Sequence, residues 1–413
     1  MESNKDKELR VLMGMDAYLP DVDGVIQCMH NYCTNLNGKC ELLAMAPKHK
    51  KSDDSKCGYK ILRCKSIYIP FVRNFYCVPN WDRKFKKLIK EKEFDIVHVH
   101  SPFNMAKFAL KTAKKKGIPC VATFHTNFRP IFRKVFGLKC VAEMVVKHIG
   151  RRYNKFDKIF VCSEKVAEQA RSFGYKGEIV YLPYGTELNK AIQQEIHSNI
   201  RKANEVFKLK EDELVFLFVG RIMKLKRIEF TLDALKIVKN NDIKFKFYIV
   251  GKGADLESTQ KYAQKLGFTD DEVIFTGFLE REKFPLINSR ANLLLFPSLY
   301  DNFGLVKVEA SAYDTAGVFV KDSCAGCEIV DGENGFLCEN NVQNYAETIM
   351  RAVSDRKKLE DVGKNAGQTL YINWATCTDI LLKTYNEIIK EYKTKNTNTT
   401  SKKKHKQKKI RNY

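Results

Sequence analysis

Residues 214–240 read LVFLFVGRIMKLKRIEFTLDALKIVKN and contain one complete repeating unit of the predicted fold. The run Leu214–Val219 is apolar and rich in Val and Phe, which is typical of a buried strand. A loop with Gly220 follows, and Arg227–Lys239 then repeats apolar residues at helical spacing. A strand, a glycine loop and a helix in this order predict one βα unit of a parallel sheet.

The same alternation extends in both directions along the chain. In the first half, the predicted strands are Arg10–Met15, Cys40–Ala46, Ile67–Ile69, Ile96–His100, Cys120–His125, Lys158–Cys162 and Ile179–Leu182. After a charged helical stretch the pattern restarts, and its further predicted strands are Phe245–Val250, Val273–Thr276, Leu293–Phe296 and Val318–Val320. Apolar runs separated by helices favour an α/β fold over a β-sandwich.

The length of the chain predicts two domains. Its 413 residues are at least twice the ~100–200 residues of a typical domain. We predict a first domain over residues 1–188, a second over 189–372, and a helix over 373–392 that crosses back to the first. Residues 393–413 carry nine Lys or Arg and no acidic residue, which predicts a basic, disordered tail.

The sequence composition indicates the cellular location of the protein. No stretch approaches the ~20 consecutive apolar residues of a membrane-spanning helix, and Met1–Arg10 lacks the apolar region of a secretory signal. Thirteen cysteines, an odd number without such a signal, predict reduced thiols. The Cys324/Cys327 pair has no second pair that would complete a zinc site. We expect a cytoplasmic protein with only peripheral membrane contact.

A basic, amphipathic segment covers residues 127–158, with nine Lys or Arg against two acidic residues and apolar residues at helical spacing. This pattern suits an anionic bilayer and, by charge alone, equally suits nucleic acid. A domain helix with a solvated basic face is a third interpretation. The predicted acceptor or membrane residues are Arg129, Phe132, Arg133, Lys134, Phe136, Lys139, Lys147, Arg151 and Arg152.

Four loops with glycine follow predicted strands, at residues 14–24, 219–227, 250–253 and 296–310. Ligands of open α/β sheets bind at the carboxyl ends of the strands, where such loops lead into helix N-termini. None of the four is a Walker A loop, and no GxGxxG motif follows the first strand. Both absences argue against ATP hydrolysis and dinucleotide binding.

The side chains of two of these loops indicate a nucleotide sugar. Arg221 and Lys226 can bind a diphosphate. Carboxylates beside a diphosphate would repel it, so Asp301 and Glu309 are expected to accept hydrogen bonds from neutral hydroxyls of a sugar and a ribose.

The sequence resembles the family-four retaining glycosyltransferases of the GT-B architecture, from about residue 10 to 385. Its donor domain shares the GR…K element of Gly220, Arg221 and Lys226, and the stretch FPSLYDNFGLVKVEA at 296–310. CAGCEIVDGENGFL at 324–337 matches the family's acidic residue and DG-NG turn. In the first half the matching elements are YLPDVDG, HVHSPF, TFHT and LPYGTE.

The resemblance implies two Rossmann-like domains that face each other across a cleft. It assigns Arg221 and Lys226 to the diphosphate, Asp301 to the sugar and Glu309 to the ribose. Gly24 would allow close approach to the phosphates, and His125 would contact a sugar hydroxyl. The predicted catalytic residues are His125, Asp301, Arg221 and Lys226. The predicted donor-binding residues are Gly24, Gly220, Arg221, Lys226, Gly251, Phe278, Asp301, Phe303, Gly304, Leu305, Val306 and Glu309.

Several positions depart from the family pattern. Asp301 is one methylene shorter than the usual Glu, and Arg227 stands where Gly is common. Tyr184 replaces Asn, while Asp314 and Ala316 replace Gly and Pro. These changes concern loop geometry, and none removes a charge from the predicted phosphate site.

Within the family, the chain is most similar to the diacylglycerol glucosyltransferases of low-GC Gram-positive bacteria, notably through YLPDVDGV, VHVHSPF and LYDNFGLVKVEA. This likeness implies transfer of glucose from UDP-glucose to diacylglycerol, with retained anomeric configuration and without a metal or other cofactor. The alternatives are another lipid, such as phosphatidylinositol, and a soluble or polysaccharide acceptor. Nucleic-acid binding is least favoured, because no RNA-recognition signature accompanies the charge.

Two patterns could hold a metal. Asp21 and Asp23 form a D-x-D, yet they lie in a glycine loop before a helix. His98 and His100 alternate along a strand and so point to one face, where a ligand pair competes with strand-end packing. We favour packing, and we predict no metal site.

Overall fold

The computed structural model describes residues 8–21, 23–69, 74–280 and 282–410. The chain divides into two compact units. The first contains the residues up to Pro183 together with those from Trp374 onward, and the second is Tyr184–Asn373. The boundary between the units therefore lies between Pro183 and Tyr184, a few residues before the predicted boundary at 188/189.

The first unit is a parallel sheet with helices between its strands. Its strands are β1 (Arg10–Gly14), β2 (Glu41–Pro47), β3 (Lys60–Cys64), β4 (Ser66–Ile69), β5 (Asn74–Cys77), β6 (Ile96–Val99), β7 (Cys120–Thr123), β8 (Lys158–Val161) and β9 (Glu178–Tyr181). Its helices are α1 (Gly24–Leu36), α2 (Arg83–Glu91), α3 (Asn104–Lys116), α4 (Phe128–Phe136), α5 (Lys139–Tyr153) and α6 (Glu164–Ser172), with the C-terminal helix given below.

The sheet of the first unit has the strand order β3-β2-β1-β6-β7-β8-β9, and all its pairs are parallel. Strands β6, β7 and β8 are buried along their whole length, as expected for a sheet covered by helices on both faces. Strands β4 and β5 form a separate antiparallel pair. Because β1, β6 and β7 are neighbours, the loops that follow them meet at one edge of the sheet.

The second unit repeats this plan. Its strands are β10 (Val215–Val219), β11 (Lys246–Val250), β12 (Val273–Gly277), β13 (Leu293–Phe296), β14 (Gly317–Val320) and β15 (Phe336–Cys338). Its helices are α7 (Gln193–Phe207), α8 (Ile228–Asn240), α9 (Leu256–Lys265), α10 (Lys283–Arg290), α11 (Leu305–Ser311), α12 (Val342–Val353) and α13 (Arg356–Thr369). The parallel order β12-β11-β10-β13-β14-β15 places the loops after β10, β11 and β13 side by side. The predicted fold class, an α/β protein of two parallel-sheet domains, is confirmed.

The C-terminal helix α14 spans Trp374–Ile410 and begins in contact with α1 of the first unit. It runs through most of the predicted disordered tail, so that prediction is wrong for residues 393–410, while 411–413 lie outside the described residues. The segment contains no Gly or Pro, and extending an existing helix avoids the cost of a new nucleus. No helix in the described ranges has an apolar stretch that could cross a membrane.

In the described part of the chain the thirteen cysteines form no disulfide bond, and eleven of them are buried. Cys327 of the CxxC pair donates to the Ser323 carbonyl, in keeping with a loop role.

Candidate functional site

In the second unit, the loops after β10 and β13 bring the predicted phosphate and sugar ligands together. Lys226 lies in a 3-10 turn at Lys224–Lys226, and its Nζ is 2.5 Å from Oδ1 of Asp301. The same ammonium lies 5.4 Å from the ring centroid of Phe296. Lys226 and Asp301, which the sequence analysis assigned to different groups of the ligand, therefore form an ion pair with each other.

The second carboxylate oxygen of Asp301 is available for a ligand. Oδ2 is buried and, within the described part of the chain, accepts no hydrogen bond. A buried acceptor without a donor costs ~1–3 kcal/mol, and more when it is charged. A hydroxyl group placed here would remove that cost, so the position suits a sugar.

Two arginines on the loop after β10 have different surroundings. Arg221 is exposed and makes no ion pair with any described residue. The guanidinium of Arg227 instead lies 3.9 Å from the ring centroid of Phe230 and donates to the Pro297 carbonyl at 3.1 Å. Arg227 therefore holds the two loops together, whereas Arg221 is accessible to an anionic ligand.

The loop after β11 packs tightly against the loop after β10. Gly251 has a φ of +143°, and a Cβ there would lie 1.9 Å from the carbonyl oxygen of Gly220. Only glycine permits this approach. Phe278 follows β12, is 74% exposed, and has the Lys252 ammonium 5.5 Å from its ring centroid. An exposed aromatic ring at this edge offers a surface on which a nucleotide base could stack.

The loop after β13 turns at Gly304 into α11. Gly304 has a φ of +73°, and a Cβ would lie 2.9 Å from that of Ala325. Next to it, the buried Lys307 pairs with Glu328 at 2.5 Å and lies 4.6 Å from the Phe303 ring centroid. Lys307 thus neutralises the acidic residue of the 324–337 motif and fixes the turn that precedes Leu305 and Val306.

Glu309, the predicted ribose ligand, lies on α11 and is partly buried. Burial, and secondarily the charge of Glu187, raise its pKa to about 7. The carboxyl group therefore takes up its proton at a higher pH than an ordinary glutamate, and with the proton it can also donate a hydrogen bond.

Two departures from the family pattern have a structural explanation. Asp314 adopts a φ of +57°, a conformation that glycine adopts without strain, and its carboxylate pairs with the ammonium of Lys190. Tyr184 contacts Phe303 edge to face, with ring centroids 5.2 Å apart. Both substitutions thus add contacts to the loops and leave Arg221 and Lys226 in place.

In the first unit, the loop after β1 is held by two aspartates. Asp23 caps α1, because its side chain accepts from the backbone N–H groups of Val25 and Ile26. The second aspartate of the D-x-D pattern therefore has a role as a helix cap. The buried Asp16 accepts from the hydroxyl of Ser101 and the N–H of Met105. Sequence reasoning missed Asp16, although its position after β1 was a signal. Gly24 begins α1, and among the described residues outside its own chain neighbours and helix backbone no atom lies within 4 Å of a Cβ built there.

A row of buried histidines lies at the carboxyl ends of β6 and β7. His98 bonds to Tyr385 at 2.6 Å and to Thr123 at 2.7 Å, which agrees with strand-end packing. His100 Nδ1 and His125 Nε2 are 2.8 Å apart. Burial lowers the pKa of His125 to about 3 and also lowers that of His100. His125 is therefore neutral near pH 7, able to bond a hydroxyl but not to act as a cation. Cys28 of α1 lies beside this pair, which sequence spacing gave no means to foresee.

The predicted membrane residues of α4 and α5 fall into two groups. Arg129 and Arg133 both pair with Glu143, at 2.8 and 3.0 Å, and Arg152 donates to the Pro102 carbonyl at 2.6 Å. These three arginines are engaged within the protein. Exposed side chains are instead provided by Lys134, Phe136, Lys139, Lys147 and Arg151, with Phe132 partly buried.

Large apolar side chains are exposed beside these cations. Ile131 is 49% exposed, Val135 65%, Leu138 61% and Met144 68%. The rings of Phe128, Phe132 and Phe136 follow one another along α4 with centroids 5.8 Å apart, the first pair stacked and the second tilted by 35°. An exposed apolar surface bordered by lysines is the combination that peripheral membrane helices present.

The models of two protein families match the chain. "Glycosyltransferase Family 4" matches residues 22–190, and "Glycosyl transferases group 1" matches residues 199–369. The first match lies mostly in the first unit and the second match lies entirely in the second unit.

The relatives and solved structures agree with these matches. The chain is 24% identical to an alpha-monoglucosyldiacylglycerol synthase of Acholeplasma laidlawii, over 87% of this chain and 92% of that protein. It is also 24% identical to the synthase of that name from Streptococcus pneumoniae, with 74% and 70% covered. The structure of HepE from Anabaena in complex with UDP-glucose aligns with a TM-score of 0.69 at 16% identity, over 92% of this chain and 100% of that one.

Proposed function

The chain is a family-four glycosyltransferase with the GT-B fold, and on that premise we propose that it transfers glucose from UDP-glucose to diacylglycerol. The proposed acceptor is supported by the two relatives named as alpha-monoglucosyldiacylglycerol synthases. The proposed donor is supported by the neighbour of similar fold that was crystallised with UDP-glucose.

The observation that carries the donor proposal is the ion pair of Lys226 and Asp301, together with the exposed Arg221 on the same loop as Lys226. Arg221 and Lys226 bind the diphosphate and offset the negative charge that develops on the departing nucleotide. Asp301 accepts from a sugar hydroxyl through its buried Oδ2, and Glu309 accepts from the ribose. The backbone N–H groups of residues 303–306 assist at the phosphate.

The proposed reaction needs no divalent metal, because two protein cations take the place that a metal has beside a diphosphate. It retains the anomeric configuration, and the departing phosphate accepts the proton of the attacking hydroxyl. His125 donates or accepts one hydrogen bond to the donor sugar as a neutral imidazole, for which its lowered pKa is suited.

The proposed acceptor side uses the exposed surface of α4 and α5. Lys134, Lys139, Lys147 and Arg151 bind anionic headgroups, while Val135, Phe136 and Leu138 insert among the lipids. The protein would then work at the inner face of the cell membrane, where diacylglycerol presents its hydroxyl.

A donor and acceptor screen tests the proposal. The full chain is incubated in EDTA with vesicles of phosphatidylglycerol and diacylglycerol, together with UDP-, GDP- or ADP-linked hexoses, and products are identified by mass spectrometry. We expect glucosyldiacylglycerol from UDP-glucose, with the donor's α configuration by NMR. A product formed only on a soluble acceptor, or strict dependence on Mn²⁺, would contradict the proposal.

A further inference from the structure

Three residues from different elements of the first unit place potential metal ligands together. Cys28 lies on α1, His100 follows β6 and His125 follows β7, and one donor atom of each lies within 4.8 Å of the other two. The side chains are 2%, 2% and 6% exposed. Such a Cys-His-His group is composed entirely of side chains that bind soft metal ions well.

The histidines of this row differ in how their ring nitrogens are used. Both nitrogens of His98 are bonded, to Tyr385 and to Thr123. In His100, Nδ1 is bonded to His125, but Nε2 is buried and has no hydrogen-bond partner within the described residues. A buried nitrogen in that state destabilises the fold, because it has lost its hydrogen bonds to water without gaining others. Coordination of a metal ion would replace the hydrogen bond between His100 and His125. The His100 ring could then turn so that its Nε2 also finds a partner.

We propose that Cys28, His100 and His125 bind one Cu⁺ ion. Cu⁺ is a soft ion that a thiolate and two imidazoles satisfy, and Cys28 releases its proton to solvent on binding. The charge of one thiolate cancels that of Cu⁺, whereas Zn²⁺ would leave a net positive charge in this buried group, which contains no carboxylate. Bonds of ~2.0–2.3 Å to nitrogen and sulfur require the donor atoms to move closer than in the free chain.

Binding of Cu⁺ switches the transferase off, because it occupies the imidazole of His125. This second statement rests on the proposed function, in which His125 bonds to the donor sugar. The site itself does not, since it is defined by three side chains of the first unit alone.

Copper binding is measured first, without any activity. The parent protein carries Cys140→Ser and Cys327→Ser, because these are the two exposed thiols and would bind copper nonspecifically. Anaerobic competition with bicinchoninate, a coloured Cu⁺ chelator, gives stoichiometry and affinity. We expect one Cu⁺ per chain, and affinity at least 10-fold lower in Cys28→Ser and in His100→Gln.

Cys338→Ser is the matched control, because that thiol is equally buried but lies in the second unit. It should retain the parent's affinity. Thermal denaturation shows whether Cys28→Ser and His100→Gln are folded. If one of them is not, the copper affinity of the other tests the site. Unchanged copper affinity in a folded Cys28→Ser or His100→Gln protein would overturn the site, as would a cluster that binds Zn²⁺ in preference to Cu⁺.

The regulatory statement is tested by product formation, with each protein compared with its own metal-free rate. One equivalent of Cu⁺ should abolish transfer by the parent, bicinchoninate should restore it, and Cys28→Ser should lose less than 2-fold. Full transfer with copper bound would overturn the inhibition. No transfer by any metal-free protein, together with normal copper binding, would refute the proposed function and leave the copper site standing.

Discussion

The carboxyl edges of the two parallel sheets carry opposite kinds of chemistry. In the second unit this edge has the exposed Arg221, and Lys226 paired with the carboxylate of Asp301. In the first unit it has His98, His100 and His125, all buried and uncharged near pH 7. The same topology therefore presents charge in one unit and neutral hydrogen-bonding groups in the other.

The proposed function assigns a different group of the nucleotide sugar to each of these edges. A diphosphate gains charge as it departs, so cations held in position stabilise the transition state. Sugar hydroxyls are neutral, so an uncharged imidazole bonds to them without the cost of burying an ion. Within the second unit, removing a cation should impair departure of the diphosphate, whereas removing the carboxylate of Asp301 should impair binding of the sugar, and the following changes test both.

Lys226→Met should produce the largest effect. Loss of a cation that acts on the leaving group typically lowers the rate ~10²–10³-fold. The measurement is kcat for glucosyldiacylglycerol formation. Lys224→Met is the matched control, because Lys224 is two residues away in the same turn and exposed, and it should retain its activity. Equal losses in both variants would show that the loop, rather than the Lys226 charge, is required.

Asp301→Asn should lower kcat/KM for UDP-glucose by ~10–100-fold, the value of a hydrogen bond to a charged group. The affinity for UDP, which has no sugar to bond to Asp301, should change little in calorimetry. Asp301→Glu restores the residue usual in the family and should retain activity within a few fold. A large loss of UDP affinity in Asp301→Asn would contradict the assignment, because it would show that this carboxylate acts on the UDP portion of the donor and not on the sugar.

Much of this second-unit site could be predicted from the sequence, because the loop after each parallel strand is set by the local pattern. The spacing of Arg221, Lys226, Asp301 and Glu309 indicated a nucleotide-sugar site. The Lys226–Asp301 ion pair could not be predicted, since it depends on how β10 and β13 are paired.

Predictions were less successful where tertiary contacts decide a side chain's direction. Arg129 and Arg152 look like their basic neighbours in the sequence, yet Glu143 and the Pro102 carbonyl bind them within the protein. Strand β3 was missed because KILRC mixes charged and apolar residues, as edge strands do. The Cys28–His100–His125 group joins three separate elements and leaves no local pattern.

The first unit's exposed surface gives a prediction of intermediate size. Lys134→Gln with Lys139→Gln should weaken binding to phosphatidylglycerol vesicles about 30-fold, since each cation near the surface contributes ~1 kcal/mol. Sedimentation of vesicles measures this, and binding should also fall with salt. Lys114→Gln with Lys115→Gln removes the same charge from the exposed end of α3. An equal effect of both pairs would indicate only a general attraction of the basic chain.

The smallest expected effect is a change in the affinity for UDP with pH. Burial raises the pKa of Glu309 to about 7, so the carboxylate that we assign to the ribose gains a proton as the pH falls below 7. UDP affinity should weaken by at most ~10-fold per pH unit below 7, and Glu309→Gln should remove this dependence. Glu257→Gln, at an exposed carboxylate, should leave it unchanged. A wild-type affinity that is constant between pH 5.5 and 8 would show that Glu309 does not bind the ribose.

The affinity of UDP for Arg221→Gln, measured by calorimetry in EDTA beside the wild-type protein, tests the central claim most directly. Arg221 is an exposed cation on the loop after β10 and forms no ion pair among the described residues. The wild-type protein should bind UDP without metal, and the variant should bind it ~10–100-fold more weakly. Equal affinities, or wild-type binding that requires a divalent ion, would contradict a diphosphate site formed by protein cations.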